Sequence, residues 1–151
     1  MECFQVLEAG EGIEAAILRG LARRGGLRGR CANGGHPALL VVSPGAAAQG
    51  IKLPRQCRTV LLPGGMGGEF PQAASAVSYG PSPRDSLTLS SREGDVLWAA
   101  LQRELVTVEG QVVERQEFPL TLAPGEGELT ALAATGALLL LGVPPEELNS
   151  G

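Results

Sequence analysis

Three short stretches of this chain carry residue types whose spacing could do chemistry. "GEGIEA", Gly10 to Ala15, has the G-x-G-x-x-A spacing of a dinucleotide-binding turn, in which Gly10 and Gly12 would let a pyrophosphate approach the backbone at a helix start. Glu11 and Glu14 stand where that anion would sit, and no acid between Ala15 and Val41 could hold a ribose hydroxyl, although Arg28 or Arg30 could meet a 2′-phosphate. Acids stabilising a helix start after a tight glycine turn is the simpler use of the same residues. "PGGMGGEF", Pro63 to Phe70, sets Gly64, Gly65, Gly67 and Gly68 directly after an apolar run. Such backbone can form an anion-binding nest, but no Lys and no Ser or Thr follows at the spacing of a Walker loop. "CANGGH", Cys31 to His36, puts the chain's single His shortly after a Cys. These make a nucleophile and base only if they meet in space with a third group to orient them, and a surface His in a glycine turn is the plainer reading. The acids Glu69, Asp85, Glu93 and Asp95 could be gathered around a metal, but Asp85 and Asp95 sit where turns need an Asp.

The composition limits what surrounds these stretches. A chain of 151 residues is the size of one domain. Aromatics are only 3% against 44% hydrophobic residues, so Leu, Val, Ala and Ile must fill the interior. The net charge of -4 supplies no field for nucleic acid or an anionic membrane. No basic-then-apolar leader opens the sequence, and Cys3, Cys31 and Cys57 have neither disulfide-framework nor zinc spacing, which together point to a reducing cytoplasm. The most apolar segment, Ala131 to Val143, is shorter than the roughly 18 residues a membrane span needs. No cofactor and no metal is implied.

Hydrophobic spacing then gives the elements that must position the candidate residues. Phe4 to Leu7 reads as a strand, and Ile13, Ala16, Ile17, Gly20 and Leu21 mark one face of a helix that ends at "RRGG". Leu27 to Cys31 could be a short edge strand. "ALLVVS", "RTVLLPGG" and the weaker "SAVSY" read as strands covered on both faces, hence parallel. From Leu87 the pattern alternates with hydroxyl residues, so that Ser86, Thr88 and Ser90 would share a face; Val96 to Val108 is long enough for one bent strand or two, and "VEGQ" signals a hairpin back through Phe118. "GEGELTALAATGALLLLGVPP" predicts a C-terminal helix with too many apolar positions for one stripe, so it is either buried nearly all round or has one face against a partner.

"RTVLLPGG" followed by "AVSYGPSPRDSLTLSS", about residues 58–91, resembles the end of the central domain of the Mur ligases, which join amino acids to peptidoglycan precursors. Ala76 to Gly80 match the strand ending in Tyr-Gly that leaves the parallel sheet there. The same segment is similar to small proteins of clostridial-type bacteria, which implies a cytoplasmic protein. The chain has no G-K-[ST] loop for ATP, and "LLPGG" stands where the acidic pair belongs, so the resemblance implies a reduced relative without ligase machinery and without catalytic residues.

The expectation is one three-layer, Rossmann-like α/β domain over 1–145 with a short flexible tail at 146–151. Its mixed sheet is parallel in the first half and an antiparallel meander in the second. The favoured function is a non-catalytic cytoplasmic domain that binds an unidentified protein partner or forms a homodimer, through Leu132, Leu139 and Leu140 of the apolar helix or through an exposed meander edge. The rival is a binder of a nucleotide or phosphorylated metabolite, using Gly10, Gly12, Gly64, Gly65, Gly67 and Gly68 with Tyr79 at a neighbouring strand end. A Cys31–His36 enzyme is the third reading. Neither nucleic acid nor a membrane is an expected partner.

Overall fold

The computed structural model describes residues 4–22, 38–49, 56–65, 72–94, 96–121 and 125–148. A seven-stranded sheet forms the frame: β1 (Phe4–Leu7), β2 (Leu39–Val42), β3 (Gln56–Pro63), β4 (Gln72–Gly80), β5 (Leu87–Glu93), β6 (Val96–Leu101) and β9 (Gln116–Thr121), side by side in that order. From β1 to β5 all pairs are parallel, and β5–β6 and β6–β9 are antiparallel. The mixed α/β sheet is therefore the expected one, with its parallel half laid down in chain order. Between β6 and β9 the short strands β7 (Leu105–Val106) and β8 (Val112–Val113) make a separate hairpin. Val96 to Val108 thus becomes two strands and a turn rather than one bent strand.

Side chains alternate across the sheet and divide the interior. Leu39, Val41, Leu61, Leu87 and Leu97 point to the larger core, shared with helices α1 (Ile13–Ala22) and α3 (Glu128–Leu140). Leu40, Val42, Val60 and Leu62 point the other way and pack on Ala46 of the short helix α2 (Pro44–Gln49). The residues that bury α1 are Ile13, Ala16, Ile17, Gly20 and Leu21, the face marked by their spacing. Its "RRGG" end, the Leu27 to Cys31 segment and the Cys31–His36 pair lie outside the described residues.

Helix α3 is buried nearly all round, one of the two courses its apolar run left open. Every residue from Ala131 to Leu140 is buried, and Leu132, Leu139 and Leu140 are 0% exposed, so the three side chains assigned to a partner belong to the domain's own core. Three neighbours enclose the helix. The sheet lies beneath it, where Gly136 stands so close to Leu61 and Leu87 that a Cβ would lie 3.1 to 3.3 Å from their methyls. α1 lies beside it, with Gly20 against Leu138. The β7–β8 hairpin closes over its end, where the Val108 N–H donates to the Leu140 carbonyl at 2.9 Å. The helix stops in a Schellman turn: Gly142 at φ 102 donates to Leu139 and Val143 donates to Leu138. The tail expected from Glu146 instead begins as a 3-10 turn, Pro145–Glu147, after which Leu148 rests on the main core.

Among the described residues no helix is long and apolar enough to cross a membrane.

Candidate functional site

Open α/β sheets bind ligands outside the carboxyl ends of their strands, where neighbouring loops leave toward opposite faces. This chain builds such a place between β1 and β2, because α1 joins the core lined by Leu39 and Val41 while α2 packs on Leu40 and Val42. Gly10 (φ 86) and Gly12 (φ 84) make the tight turn into α1 that the fingerprint requires. Beside them a shallow groove of about 440 Å³ is lined by Glu8, Gly10, Gly12, Glu14, Ala15 and Leu18.

The donors that would hold a phosphate there are already engaged by the chain itself. The Glu8 carboxylate accepts from the N–H groups of Ile13 at 2.8 Å and Glu14 at 3.1 Å, taking the first free donors of α1. Glu11 crosses the crevice: one oxygen accepts from the Ala9 N–H at 2.6 Å, the other from the Gly45 N–H of α2 at 2.7 Å. Burial raises its pKa, but the bonds from Gly45, Ala9 and the Ser43 hydroxyl outweigh that, and the carboxyl is held below its ordinary 4.5. Ser43 in turn caps α2 through Ala46 N–H at 2.9 Å, and Thr130 of α3 donates to the Glu11 carbonyl at 3.1 Å. Two carboxylates thus stand where an anionic ligand would, and a phosphate would meet charge repulsion in place of donors.

The glycine stretch after β3 follows the same pattern. Gly64 and Gly80, at the ends of β3 and β4, enclose the buried Asp85 carboxylate, which leaves no room for a Cβ on either glycine. Asp85 also accepts from the Ser82 N–H at 3.2 Å, so it does close a turn as its sequence position suggested. Gly65, at φ 77, faces open space. Gly67, Gly68 and Glu69 lie outside the described residues. Tyr79, the remaining ligand candidate, is 0% exposed, and its hydroxyl donates to the Val42 carbonyl at 2.7 Å, tying β4 to the end of β2 across β3. Burial, together with the charge of Glu11, raises its phenol above the ordinary value. A tyrosine so enclosed is a lock in the core and cannot touch a ligand.

The hydroxyl row on β5 is broken as well. A bulge between Leu89 and Ser91 makes Ser91 the partner of Trp98, and the Ser90 hydroxyl donates to the Trp98 carbonyl at 3.1 Å. Thr88 is buried with its Oγ1 unpartnered. Among the described residues no group of three or more His, Cys, Asp or Glu side chains could hold a metal ion, and Asp95 is not among those residues.

Besides the exposed Leu18, Val106, Val112 and Leu129, an apolar strip on the outer face of the meander is partly open. Val96, Trp98 and Ala100 of β6 and Pro119 of β9 are each partly exposed on the sheet side away from α1 and α3, ringed by Ser91, Glu93 and Glu117. Sequence reasoning missed this strip because the chain's only Trp sits in a run, "VLWAAL", that reads as uniformly apolar. Glu8 was missed because its role is to reach forward to main-chain donors, which leaves no trace in residue type.

No family model matches the chain, and no curated protein matches it.

Proposed function

We propose that this chain is a non-catalytic domain that binds a protein partner, a second copy of itself in the first instance, through the outer face of its β5–β6–β9 meander. The observation that carries the reading is the strip Val96, Trp98, Ala100 and Pro119, a partly exposed apolar centre with the chain's only Trp in it and a polar rim around it. Trp is the residue most enriched at the energetic centres of interfaces, and here it is neither sunk in the core nor bonded through its indole to a described residue. The carboxylates of Glu8, Glu11 and Asp85 support the same conclusion, since among the described residues they take main-chain donors at the carboxyl edge and set negative charge where a phosphate would sit. A cytoplasmic setting belongs to this proposal, resting on the spacing of the cysteines.

Trp98 is the only Trp, so its fluorescence reads this face directly. Sedimentation and acrylamide quenching are followed together over a hundredfold range of concentration. Association should shield Trp98 as the dimer forms, and Ala100→Arg and Pro119→Arg should abolish both changes while leaving the melting transition in place. A monomer at every concentration with Trp98 equally quenchable throughout would remove self-association. If Trp98→Ser then recovered the same co-purifying proteins as the wild type, the face itself would be removed.

A further inference from the structure

Among the described residues the main sheet ends in two edge strands, β1 on one side and β9 on the other. An edge strand carries unpaired main-chain groups that recruit further strands, and β1, with four residues, offers little length for that. β9 has six, "QEFPLT", and Phe118 and Thr121 are types enriched in strands. Its edge therefore needs some other protection.

The main-chain groups of β9 that face outward follow from the bonds of its neighbour β6. The Trp98 carbonyl accepts from the Ser90 hydroxyl at 3.1 Å, and the Gln102 N–H donates to the Ser86 carbonyl at 2.8 Å. Trp98 and the residues in step with it, Val96 and Ala100, thus turn their main-chain groups toward β5. Their partners across the other ladder, Thr121, Pro119 and Glu117, stand in the pairs that exchange no hydrogen bonds with β6. Phe118 and Leu120 make those bonds instead, and Glu117, Pro119 and Thr121 point their main-chain groups to the open edge. Proline has no N–H. The edge therefore offers donors at Glu117 and Thr121 but only an acceptor between them, and a strand laid along β9 would leave one of its own carbonyls unpaired. The sheet itself loses nothing, because this position owes β6 no donor.

We infer that Pro119 closes the β9 edge to strand addition, whether by a second copy of this chain or by an extended peptide. The sequence pointed to the apolar helix or an exposed meander edge as the surface for a partner. The helix is buried, and the edge lacks its central donor. The inference goes beyond the face proposed above and does not depend on it: Trp98 lies on the face, and the missing donor lies at the rim of the sheet.

The test is made in Trp98→Ser, which removes the aromatic centre of the face. Adding Pro119→Val restores the N–H and keeps an apolar side chain. Sedimentation is followed against concentration, together with hydrogen exchange of the amides at positions 117, 119 and 121. Trp98→Ser alone should stay monomeric, with fast exchange at Glu117 and Thr121. With Pro119→Val added, association should appear at concentrations roughly tenfold or more lower, since each copy regains a hydrogen bond, and the three edge amides should slow as it forms. Pro119→Ala restores the same N–H on a smaller side chain and should behave alike, which keeps the test open if the valine variant does not fold. Pro119→Arg restores the N–H behind a charge and should stay unpaired, because a charged residue on an edge strand opposes pairing. Folded Val and Ala variants that sediment as Trp98→Ser does would overturn the inference. So would wild-type protein whose own association slows exchange at Glu117 and Thr121. If Trp98 of the wild type is never shielded while the valine variant pairs along β9, the reading of the face falls and the closed edge stands.

Discussion

The carboxylate of Asp85 occupies the space that a side chain on Gly64 would need. The two residues are far apart in sequence, yet the turn after β4 drives the acid into the end of β3, where it is only 4% exposed. Gly64→Ala should therefore destabilise the domain by about 3 kcal/mol, since the Cβ meets a buried carboxylate fixed by the Ser82 N–H and not the free end of a flexible chain. Chemical denaturation of Gly64→Ala, Asp85→Ala and the double variant gives the coupling, expected at about 1 kcal/mol or more. Gly65→Ala is the control: at φ 77 with nothing within 4 Å of a Cβ, its cost is backbone strain of about 1–2 kcal/mol and should not couple to Asp85.

Glu11 makes the domain sensitive to acid. Its folded pKa is depressed below 4.5, so its contribution is present above the unfolded value and is lost as the pH falls through the folded one. The melting temperature of the wild type should fall as the pH is lowered through and below 4.5. In Glu11→Gln it should begin lower at neutral pH and fall less steeply over that window. Parallel pH profiles for the two proteins would show that the bonds to Ala9, Ser43 and Gly45 do not carry this dependence.

Thr88 offers a gain in stability. Its Oγ1 is buried without a partner, and an unsatisfied buried hydroxyl costs about 1–3 kcal/mol. Thr88→Val keeps the shape and removes the polar atom, and the β-branched side chain suits a strand. A rise of about 1 kcal/mol is expected, or roughly 2–4 °C in the thermal midpoint for a domain of this size. A lower midpoint would mean that the hydroxyl has a partner after all.

Gly136 sets helix propensity against packing. Alanine gains about 1 kcal/mol over glycine within a helix. At this position, however, the new methyl would press on Leu61 and Leu87, both fully buried, and overpacking of that kind costs about 1–3 kcal/mol. Gly136→Ala should be neutral to destabilising by about 1–2 kcal/mol in urea melts, and Gly136→Ala with Leu61→Val should recover part of the loss. Clear stabilisation by the single variant would show that the helix can lift from the sheet.

How far the sequence reveals this molecule depends on where each contact originates. The inward face of α1 was legible because Ile13, Ala16, Ile17, Gly20 and Leu21 repeat at the helical period and all turn to one core. The parallel strands were legible from unbroken apolar runs such as Leu39 to Val42. The surroundings of α3 were not, because a helix apolar on every side gives no direction, and whether its leucines meet a partner or their own chain is decided by the hairpin and by α1. Nor was the state of the glycine turns. Their spacing suits a ligand, but the carboxylates of Glu8, Glu11 and Asp85 reach main-chain N–H groups that carry no residue identity, and for Glu11 one of these lies on another helix.

The burial of α3 has a further consequence for how the chain is made. This helix covers the sheet over β2 to β5, yet it is synthesised after every strand it covers. Until it emerges, Leu39, Val41, Leu61 and Leu87 present a continuous greasy surface to the cell, and β1 to β4 are long finished. Release of a nascent chain stalled before Glu128 should therefore yield a product that aggregates or is held by chaperones.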